Sequence, residues 1–350
     1  MRSRQIVISL VTIAVILFLL LREVEKWTRF DWPLFWAQSR SLRLLPALAA
    51  AALIYLGFGL RALRWRMLLQ PRRSTGFLRL LRPTLIGFSA MALLGRPAEF
   101  IRPYLIARQE GLRMSSQLAI WVVERIFDVG VFGVLLTVSL FTSAELRELP
   151  YVAQFRRVGL VLVGAVALMG VIALLVGGHG GRLGDVLQRW LSPFYPRSGK
   201  RVASTTLALQ DALRPLAGVR SFGSVAAVSL LMWVVVALAY LLVVQSFAPP
   251  LRTMSFPSVL LLMGFSMLGS LAQLPGGGAS QLMVIAGLLN VFSAPAELAV
   301  GCGILLWLTT YMAPVPIGLA LLRREDFSLT RLTEKSRKAE GEEGSDPEPS

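Results

Sequence analysis

The chain has 350 residues, of which 55% are hydrophobic and 16% are charged, and its mean hydropathy is +0.64. Soluble domains carry roughly 25% charged residues, so this composition excludes an ordinary soluble protein. The formal net charge is +16. Because the arginines stand in short loops between apolar runs, this charge argues against nucleic-acid binding and predicts the positive-inside orientation of a membrane protein.

The few residues suited to metal or covalent chemistry are isolated. The single cysteine, Cys302, and the single histidine, His179, exclude an internal disulfide and a metal cluster built from these two residue types. The sequence contains no phosphate-binding loop and no serine–histidine pair. We therefore predict no catalytic residue, no metal site and no cofactor.

Long apolar runs follow one another along the chain. A helix of about 20 apolar residues crosses the ~30 Å hydrocarbon core and satisfies its own backbone hydrogen bonds there. The first run follows a short basic start and has no small-residue cleavage site behind it, which predicts an uncleaved helix. The runs predicted to span fully are residues 6–21, 44–63, 117–141, 158–176, 222–247 and 297–322.

A further apolar stretch, residues 77–94, is followed by a basic segment. If it crossed fully, the loop 177–221 would lie outside with its seven basic residues, against the positive-inside rule. If it enters and returns, residues 61–113 and 177–221 both lie inside. We therefore predict a re-entrant hairpin here.

The stretch 257–290 is interrupted by Pro275, Gly276, Gly277 and Gly278, which break a helix. We predict a second hairpin, entering from the opposite face, and the alternative is a plain loop joining two full spans. Non-helical backbone at membrane depth occurs only against protein or a water-filled cavity, so the break marks a candidate site.

These features predict an all-α integral membrane protein, a polytopic helical bundle with about six full spans plus two re-entrant or broken-helix hairpins. The transmembrane domain covers residues 1–325, and its cytoplasmic loop 177–221 is expected to hold an amphipathic helix. The polar tail 326–350 is expected to be disordered. We expect a multi-pass protein of the cell (inner) membrane with both termini in the cytoplasm.

One apolar run carries the charged residues Glu124, Arg125 and Asp128. Each charge at a helix centre costs roughly 2.5–3.5 kcal/mol on insertion scales, so such residues face a bundle interior and mark function. Positions three and four apart share a helix face, so these side chains can pair. They form either a self-neutralising group that fixes helix packing or the polar wall of a cavity. Their spacing does not require acid–base chemistry.

A second charged group, Arg96, Glu99 and Arg102, recurs every three residues and lines one face if helical. Guanidinium groups grip phosphate through paired donors, so this segment is a candidate headgroup site, and the alternative is ordinary basic-loop chemistry. In contrast, Arg64 and Arg66 with Trp65 at the end of an apolar run are typical of an anchor in the headgroup layer.

Three blocks, LLGRPAEFIRPYLIARQEGL, ERIFD and LPGGGA, together resemble the flippase-like family, also known as the lysylphosphatidylglycerol synthase transmembrane-region family. The first block of that family reads PGR-x-GE-x-x-R, which Gly95, Arg96, Glu99 and Arg102 match. The second block reads ER or DR followed by D. Arg125 and Asp128 match this second pattern.

The third family block reads PGG-x-G with a following glutamate. Pro275, Gly276 and Gly277 match it, whereas Ala279 and then Ser280 and Gln281 follow here, without the glutamate. Some relatives carry a soluble aminoacyl-transferase domain after the membrane region. This chain ends 28 residues beyond Leu322, so aminoacylation is not expected from it alone.

The resemblance implies translocation of a lipid or a lipid-linked anionic headgroup between leaflets, with an anionic phospholipid or a polyprenyl-linked lipid as partner. The alternatives are a membrane enzyme or accessory subunit in lipid-linked glycan or phospholipid modification, which needs a carboxylate open to a soluble cosubstrate, and a scaffold that binds anionic lipid. In the transporter hypothesis the arginines contact the headgroup and the acidic residues hold them. The predicted headgroup-binding residues are Arg96, Glu99, Arg102, Glu124, Arg125, Asp128, Pro275, Gly276, Gly277, Gly278 and Gln281.

Overall fold

The structure is a computed structural model that describes residues 30–69, 75–149, 151–164, 167–168, 219–271 and 275–324. Within these ranges every regular element is helical and no strand occurs. Several predicted elements fall outside them. These are the first span, the C-terminal part of the span 158–176, nearly all of the loop 177–221 and the tail 326–350.

Long helices make up the described chain, and four of them are long and apolar enough to cross a membrane: Leu44–Leu69, Phe77–Leu94, Arg220–Val244 and Ala296–Arg323. Short 3₁₀ segments lie at Arg96–Phe100 and Pro275–Gly277, and the π-helix Leu308–Met312 joins the last two helices. In chain order the helices are α1 (Trp32–Arg40), α2 (Leu44–Leu69), α3 (Phe77–Leu94), α4 (Ile101–Glu110), α5 (Met114–Thr142), α6 (152–164), α7 (Val219–Val244), α8 (Phe256–Ser270), α9 (Gly278–Asn290), α10 (Ala296–Trp307) and α11 (Pro314–Arg324).

Local signals set where several helices begin and end. Asp31 caps α1 by accepting a hydrogen bond from the Leu34 backbone N–H at 2.8 Å, and Ser255 caps α8 in the same way. Helix α4 stops at Gly111, whose φ of 61° only glycine adopts without strain. Between these signals the chain stays helical because it is apolar, and in lipid a helix satisfies its own backbone hydrogen bonds.

Helices α3 and α4, with the 3₁₀ turn between them, form what we call the first hairpin, residues 77–110. The hydroxyl of Thr75, just before α3, donates to the Glu110 carboxylate at the end of α4, at 3.1 Å. The ends of the hairpin therefore lie together, beside the start of α5 at Met114. Since α3 is about 27 Å long, the hairpin is about as deep as a bilayer core.

Helices α8 and α9, with the 3₁₀ turn Pro275–Gly277, form the second hairpin, residues 256–290. The Ser258 hydroxyl near the start of α8 donates to Glu145, which follows the end of α5, at 2.8 Å. The two arms pack closely, because a Cβ added to Gly287 would lie 2.8 Å from the Phe265 ring. This hairpin therefore opens at the C-terminal end of α5, opposite to the first hairpin.

The turns of the two hairpins adjoin inside the bundle. The segment Pro275–Gly277 packs against the C-terminal part of α3, and a Cβ added to Gly276 would lie 3.9 Å from the Ala92 carbonyl oxygen. Residues 77–94, which were expected to enter and return, form one continuous helix, and the chain turns back only through Arg96–Phe100 and α4. The membrane faces from which the two hairpins enter stay a prediction. Within the break of the second hairpin, Pro275–Gly277 forms a 3₁₀ turn, and residues 272–274 lie outside the described residues.

The apolar core lies between α2, α7, α8 and α10, where Met232, Leu262 and Cys302 are fully buried. The outer faces of the long helices also carry large apolar side chains. Leu45 on α2 is 80% exposed and Val161 on α6 is 72% exposed. Apolar side chains on both faces suit helices surrounded by lipid, since water would disfavour so much exposed apolar surface.

Candidate functional site

Arg64 of α2 is the centre of a buried charged cluster. Its Nη2 lies 2.6 Å from Glu124 Oε1 and its Nη1 lies 2.7 Å from Asp128 Oδ1. The Ser229 hydroxyl of α7 accepts a third hydrogen bond from Nη1, at 3.2 Å. The Arg64 side chain has no exposed surface, so its charge is balanced only by these neighbours.

Arg102 brings the first hairpin into the same cluster. Its Nη2 lies 3.0 Å from Glu124 Oε1, so one carboxylate oxygen accepts from two arginines. The guanidinium also stacks over the Trp65 ring, 4.1 Å from the ring centroid. Close approach of α4 to α3 depends on Gly87, because a Cβ there would lie 2.6 Å from the Cβ of Arg102.

Arg125 and Glu99 form the more accessible edge of the cluster. Arg125 lies 3.4 Å from Asp128 Oδ2 and 3.7 Å from Glu99 Oε1. The Arg125 side chain is 41% exposed, whereas those of Glu124 and Asp128 are 0% and 7% exposed. The part of the cluster that an incoming molecule can reach is therefore the Arg125 guanidinium, which is paired with Asp128 and Glu99.

The cluster contains more cation than carboxylate. Arg61, one helical turn before Arg64, forms no ion pair with a described residue and packs against the rings of Phe58 and Phe88, 5.8 and 5.2 Å from the two centroids. The Nε–H groups of Arg64, Arg102 and Arg125 are buried and have no hydrogen-bond partner among the described residues. Because a guanidinium group has five N–H donors, this cluster has unused hydrogen-bond donors that can bind an anion. Its described charged members are Arg61, Arg64, Glu99, Arg102, Glu124, Arg125 and Asp128.

The turn of the second hairpin is built from glycine because its backbone is left-handed. Gly276 and Gly277 both have φ of 70°, and a Cβ on Gly277 would lie 2.5 Å from the Tyr311 ring. The indole N–H of Trp307 donates to the Gly276 carbonyl. The turn is therefore fixed against α10 and the π-helix.

Gln281, one helical turn beyond these glycines, lines a small pocket with a volume of about 10 Å³, which is room for about one water molecule. The pocket lies between α7, α8, α9, α10 and the π-helix. Neither the glycines nor Gln281 hydrogen-bond to the charged cluster in the described part of the chain. The predicted site residues thus separate into two places, the cluster and the turn with its pocket.

The structure brings together Glu99, Arg102, Glu124, Arg125 and Asp128, and the predicted pairing of Arg125 with Asp128 is confirmed. Their role in binding a headgroup stays a prediction. The side chains of Arg96 and Pro275 lie outside the described part of the structure. Gly278 begins α9 and has no close neighbour.

The prediction that Arg64 and Trp65 form an interfacial anchor is wrong, since both side chains are fully buried. Arg64 instead joins α2 to α5, and the Trp65 indole donates to Gln117 at 3.2 Å. A basic–aromatic pair near the end of an apolar run fits an anchor and a buried site equally well, because only the packing partners differ. Helix α7 contributes Ser229 and Trp233, which are uncharged, so nothing in the sequence marks them as partners of a charged cluster.

The enzyme alternative requires a carboxylate open to a soluble cosubstrate. Glu124 and Asp128 are instead buried in ion pairs, and the indole N–H of Trp233 also donates to Asp128, at 3.2 Å. In the described residues no group of three or more histidine, cysteine, aspartate or glutamate side chains is placed to hold a metal ion.

Comparisons with known proteins agree with the three sequence blocks. The family described as "Lysylphosphatidylglycerol synthase TM region" matches residues 6–318, which is most of the chain. No curated protein and no solved structure matches the chain. The apolar helices and the family match together identify a multi-pass membrane protein, and the chain belongs to the lysylphosphatidylglycerol synthase transmembrane-region family.

Proposed function

We propose that this protein moves a lipid, or a lipid-linked group with an anionic headgroup, between the leaflets of the membrane. The observation that carries the proposal is the buried cluster with four arginines and three carboxylates. A headgroup phosphate would supply the missing negative charge. Guanidinium groups bind phosphate through paired donors, and the free Nε–H groups are such donors.

Burial makes the cluster selective for an anion. Charged groups at membrane depth are costly unless they are paired, so an unbalanced cation there favours the entry of a counter-charge. Arg61 is the arginine of the cluster that has no ion pair with a described carboxylate, and Arg125 is the most exposed of the paired ones. We assign the first contact with the phosphate to Arg125 and the deeper contact to Arg61.

The opposed hairpins supply the elements that a transporter needs. One opens at each end of α5, and their turns adjoin near Ala92 and Gly276. Broken helices that meet inside a bundle are the usual construction of transporter binding sites. The basic loops at the N-terminal end of α5 predict that this end faces the cytoplasm.

The test is lipid movement in vesicles that contain the purified protein. Trace phosphatidylglycerol with a fluorescent headgroup label is placed in both leaflets, and a membrane-impermeant reductant is added outside. Movement of lipid exposes the inner label, so the fluorescence lost exceeds the outer-leaflet share. Vesicles without protein give the baseline. If the wild-type protein moves no labelled lipid of any headgroup class, the proposal is wrong.

The variant Arg61→Gln removes the unpaired cation without breaking an ion pair. We expect lipid movement to slow by about 10-fold or more, since a charge-assisted contact contributes ~1.5–3 kcal/mol, while the unfolding temperature changes little. The matched control is Arg79→Gln, an exposed arginine at the start of α3. Equal slowing by both variants would mean that overall charge, and not this cluster, sets the rate.

A further inference from the structure

Neutral N–H donors continue the arginine cluster toward the N-terminal end of α5. Gln117, Trp121 and Arg125 follow one another at intervals of four residues, so they lie along one side of the helix, about 6 Å apart along its axis. The amide Nε2 of Gln117, the indole Nε1 of Trp121 and the Nε of Arg125 are each buried and have no hydrogen-bond partner among the described residues. Helix α5 thus carries a row of three unused donors.

The contacts of Gln117 fix the direction of its amide group. The Trp65 indole can only donate, and it donates to Gln117 Oε1 at 3.2 Å, so the amide nitrogen is the atom left without a partner. Gln117 has no exposed surface, and a buried donor without a partner costs free energy that a bound acceptor would recover. The Trp65 ring also stacks on the Arg102 guanidinium, so Gln117 is one side chain away from the arginines.

Trp121 lies on the accessible side of the cluster. Its ring centroid is 6.0 Å from the guanidinium carbon of Arg125 and 5.5 Å from the centroid of the Phe100 ring. Phe100 is 45% exposed, and the Arg125 side chain is 41% exposed. A molecule bound at Arg125 would therefore also meet these two rings. An exposed aromatic ring beside a cation suits a ligand that carries both a lipid chain and an anionic group.

The unused polar atoms around this row indicate a ligand that offers acceptors. The Nε–H groups of Arg64 and Arg102 are unused as well, whereas Glu124 Oε2 is the one buried acceptor of the cluster without a hydrogen bond in the described part of the chain. A phosphate that is linked on both sides offers only acceptor oxygens. Hydroxyl and ammonium groups would instead bring further donors to a place that already has too many.

We propose that the headgroup site extends from Arg125 to Trp121 and Gln117 and takes a diphosphate, in which two phosphates share one oxygen. The arginines hold one phosphate, and the indole and amide N–H groups hold the other. A single phosphate at Arg125 is too compact to reach both neutral donors, because Gln117 lies about 12 Å away along the helix axis. This inference names the substrate class of the transport proposed above, and the lipid attachment of the ligand rests on that proposed function.

The experiment measures the binding of farnesyl monophosphate and farnesyl diphosphate to the full chain in phosphatidylcholine nanodiscs with a metal chelator. Any cationic site favours the diphosphate through its larger charge, so the decisive quantity is the ratio of the two dissociation constants in an uncharged variant. Trp121→Phe removes the indole N–H, keeps a ring and changes no charge. We expect it to weaken diphosphate binding by about 10-fold and monophosphate binding by less than about 2-fold. The matched control is Trp36→Phe, at an exposed position on α1.

The second variant, Gln117→Glu, keeps an oxygen that accepts from Trp65 and replaces the unused donor with an acceptor. We expect it also to weaken diphosphate binding more than monophosphate binding, and unfolding temperatures establish that each variant is folded. An unchanged ratio in both variants, whether both lipids are lost equally or neither is lost, would overturn the inference. Competition by inorganic diphosphate supports the diphosphate chemistry and identifies a soluble ligand as its source.

The same variants separate this inference from the transport proposal. If phosphatidylglycerol moves in vesicles but the ratio of the two dissociation constants is the same in wild type and in both variants, only the diphosphate inference fails. If no lipid moves but Trp121→Phe selectively loses the diphosphate, only the transport proposal fails.

Discussion

The two hairpins place polar groups inside the bundle by different physical means. The first hairpin is tied to α5 through ion pairs, with Arg102 on Glu124 and Glu99 on Arg125, and to α2 by the stacking of Arg102 on Trp65. The second hairpin uses neutral hydroxyl pairs and a glycine turn. Breaking a buried ion pair costs ~3–5 kcal/mol, whereas one neutral hydrogen bond contributes ~0.5–1.5 kcal/mol. The polar contacts of the first hairpin are therefore the more costly ones to break.

The largest expected effect tests the ion pairs that hold the first hairpin. Glu124→Ala leaves Arg64 and Arg102 buried without their shared carboxylate, so we expect the free energy of unfolding to fall by about 3–5 kcal/mol. Chemical unfolding in detergent, followed by tryptophan fluorescence, measures this. The control Glu148→Ala removes an exposed carboxylate and should stay within ~0.5 kcal/mol of the wild type. A loss of the same small size for both variants would show that the cluster does not hold the first hairpin.

An intermediate effect tests the turn of the second hairpin. Gly277→Ala forces an L-residue to a φ of 70° and pushes a methyl group against the Tyr311 ring, so we expect a loss of about 2 kcal/mol or more. Gly278→Ala is the matched control, because it lies in α9 with an ordinary φ and no neighbour within 4 Å. Alanine there should be neutral or stabilise by up to ~1 kcal/mol. Comparable losses in the two variants would contradict the left-handed turn.

The smallest effect sharpens the contrast between ionic and neutral contacts. Tyr240→Phe removes the hydroxyl that pairs with Ser266 but keeps the buried ring, so we expect a loss of about 1 kcal/mol. The double variant with Ser266→Ala should add little, since one hydrogen bond is lost either way. A loss as large as that of Glu124→Ala would mean that the two hairpins are held equally firmly.

Much of the architecture could be predicted because it depends on composition and on loop charge. The apolar runs give the helices. The Thr75–Glu110 contact shows that the two ends of the first hairpin lie together, whereas the return to the same side of the membrane, which the basic loops predict, stays a prediction. The pairing of Arg125 with Asp128 follows from their spacing on one helix. These features are local, so neighbouring residues suffice to specify them.

The partners of the cluster could not be predicted, because they come from distant parts of the chain. Arg64 lies 60 residues before Glu124 and 165 before Ser229, and no periodicity relates these positions. The small pocket beside Gln281 is still less visible, since Tyr240, Ser266 and Tyr311 are each ordinary residues of apolar helices. Only the packing of α7 against α8 and the π-helix brings their hydroxyl groups together.

Apolar runs of this length already identify a helical membrane protein with charged and glycine-rich interruptions, because the bilayer admits few other solutions for them. Only the packed helices show which charges neutralise one another and which arginine has no carboxylate partner in the described part of the chain. They also show that Gln281 faces hydroxyl groups and not arginines. The physical reason is that charge and hydrogen-bond balance at depth depends on distances between helices, which are fixed only when the helices pack.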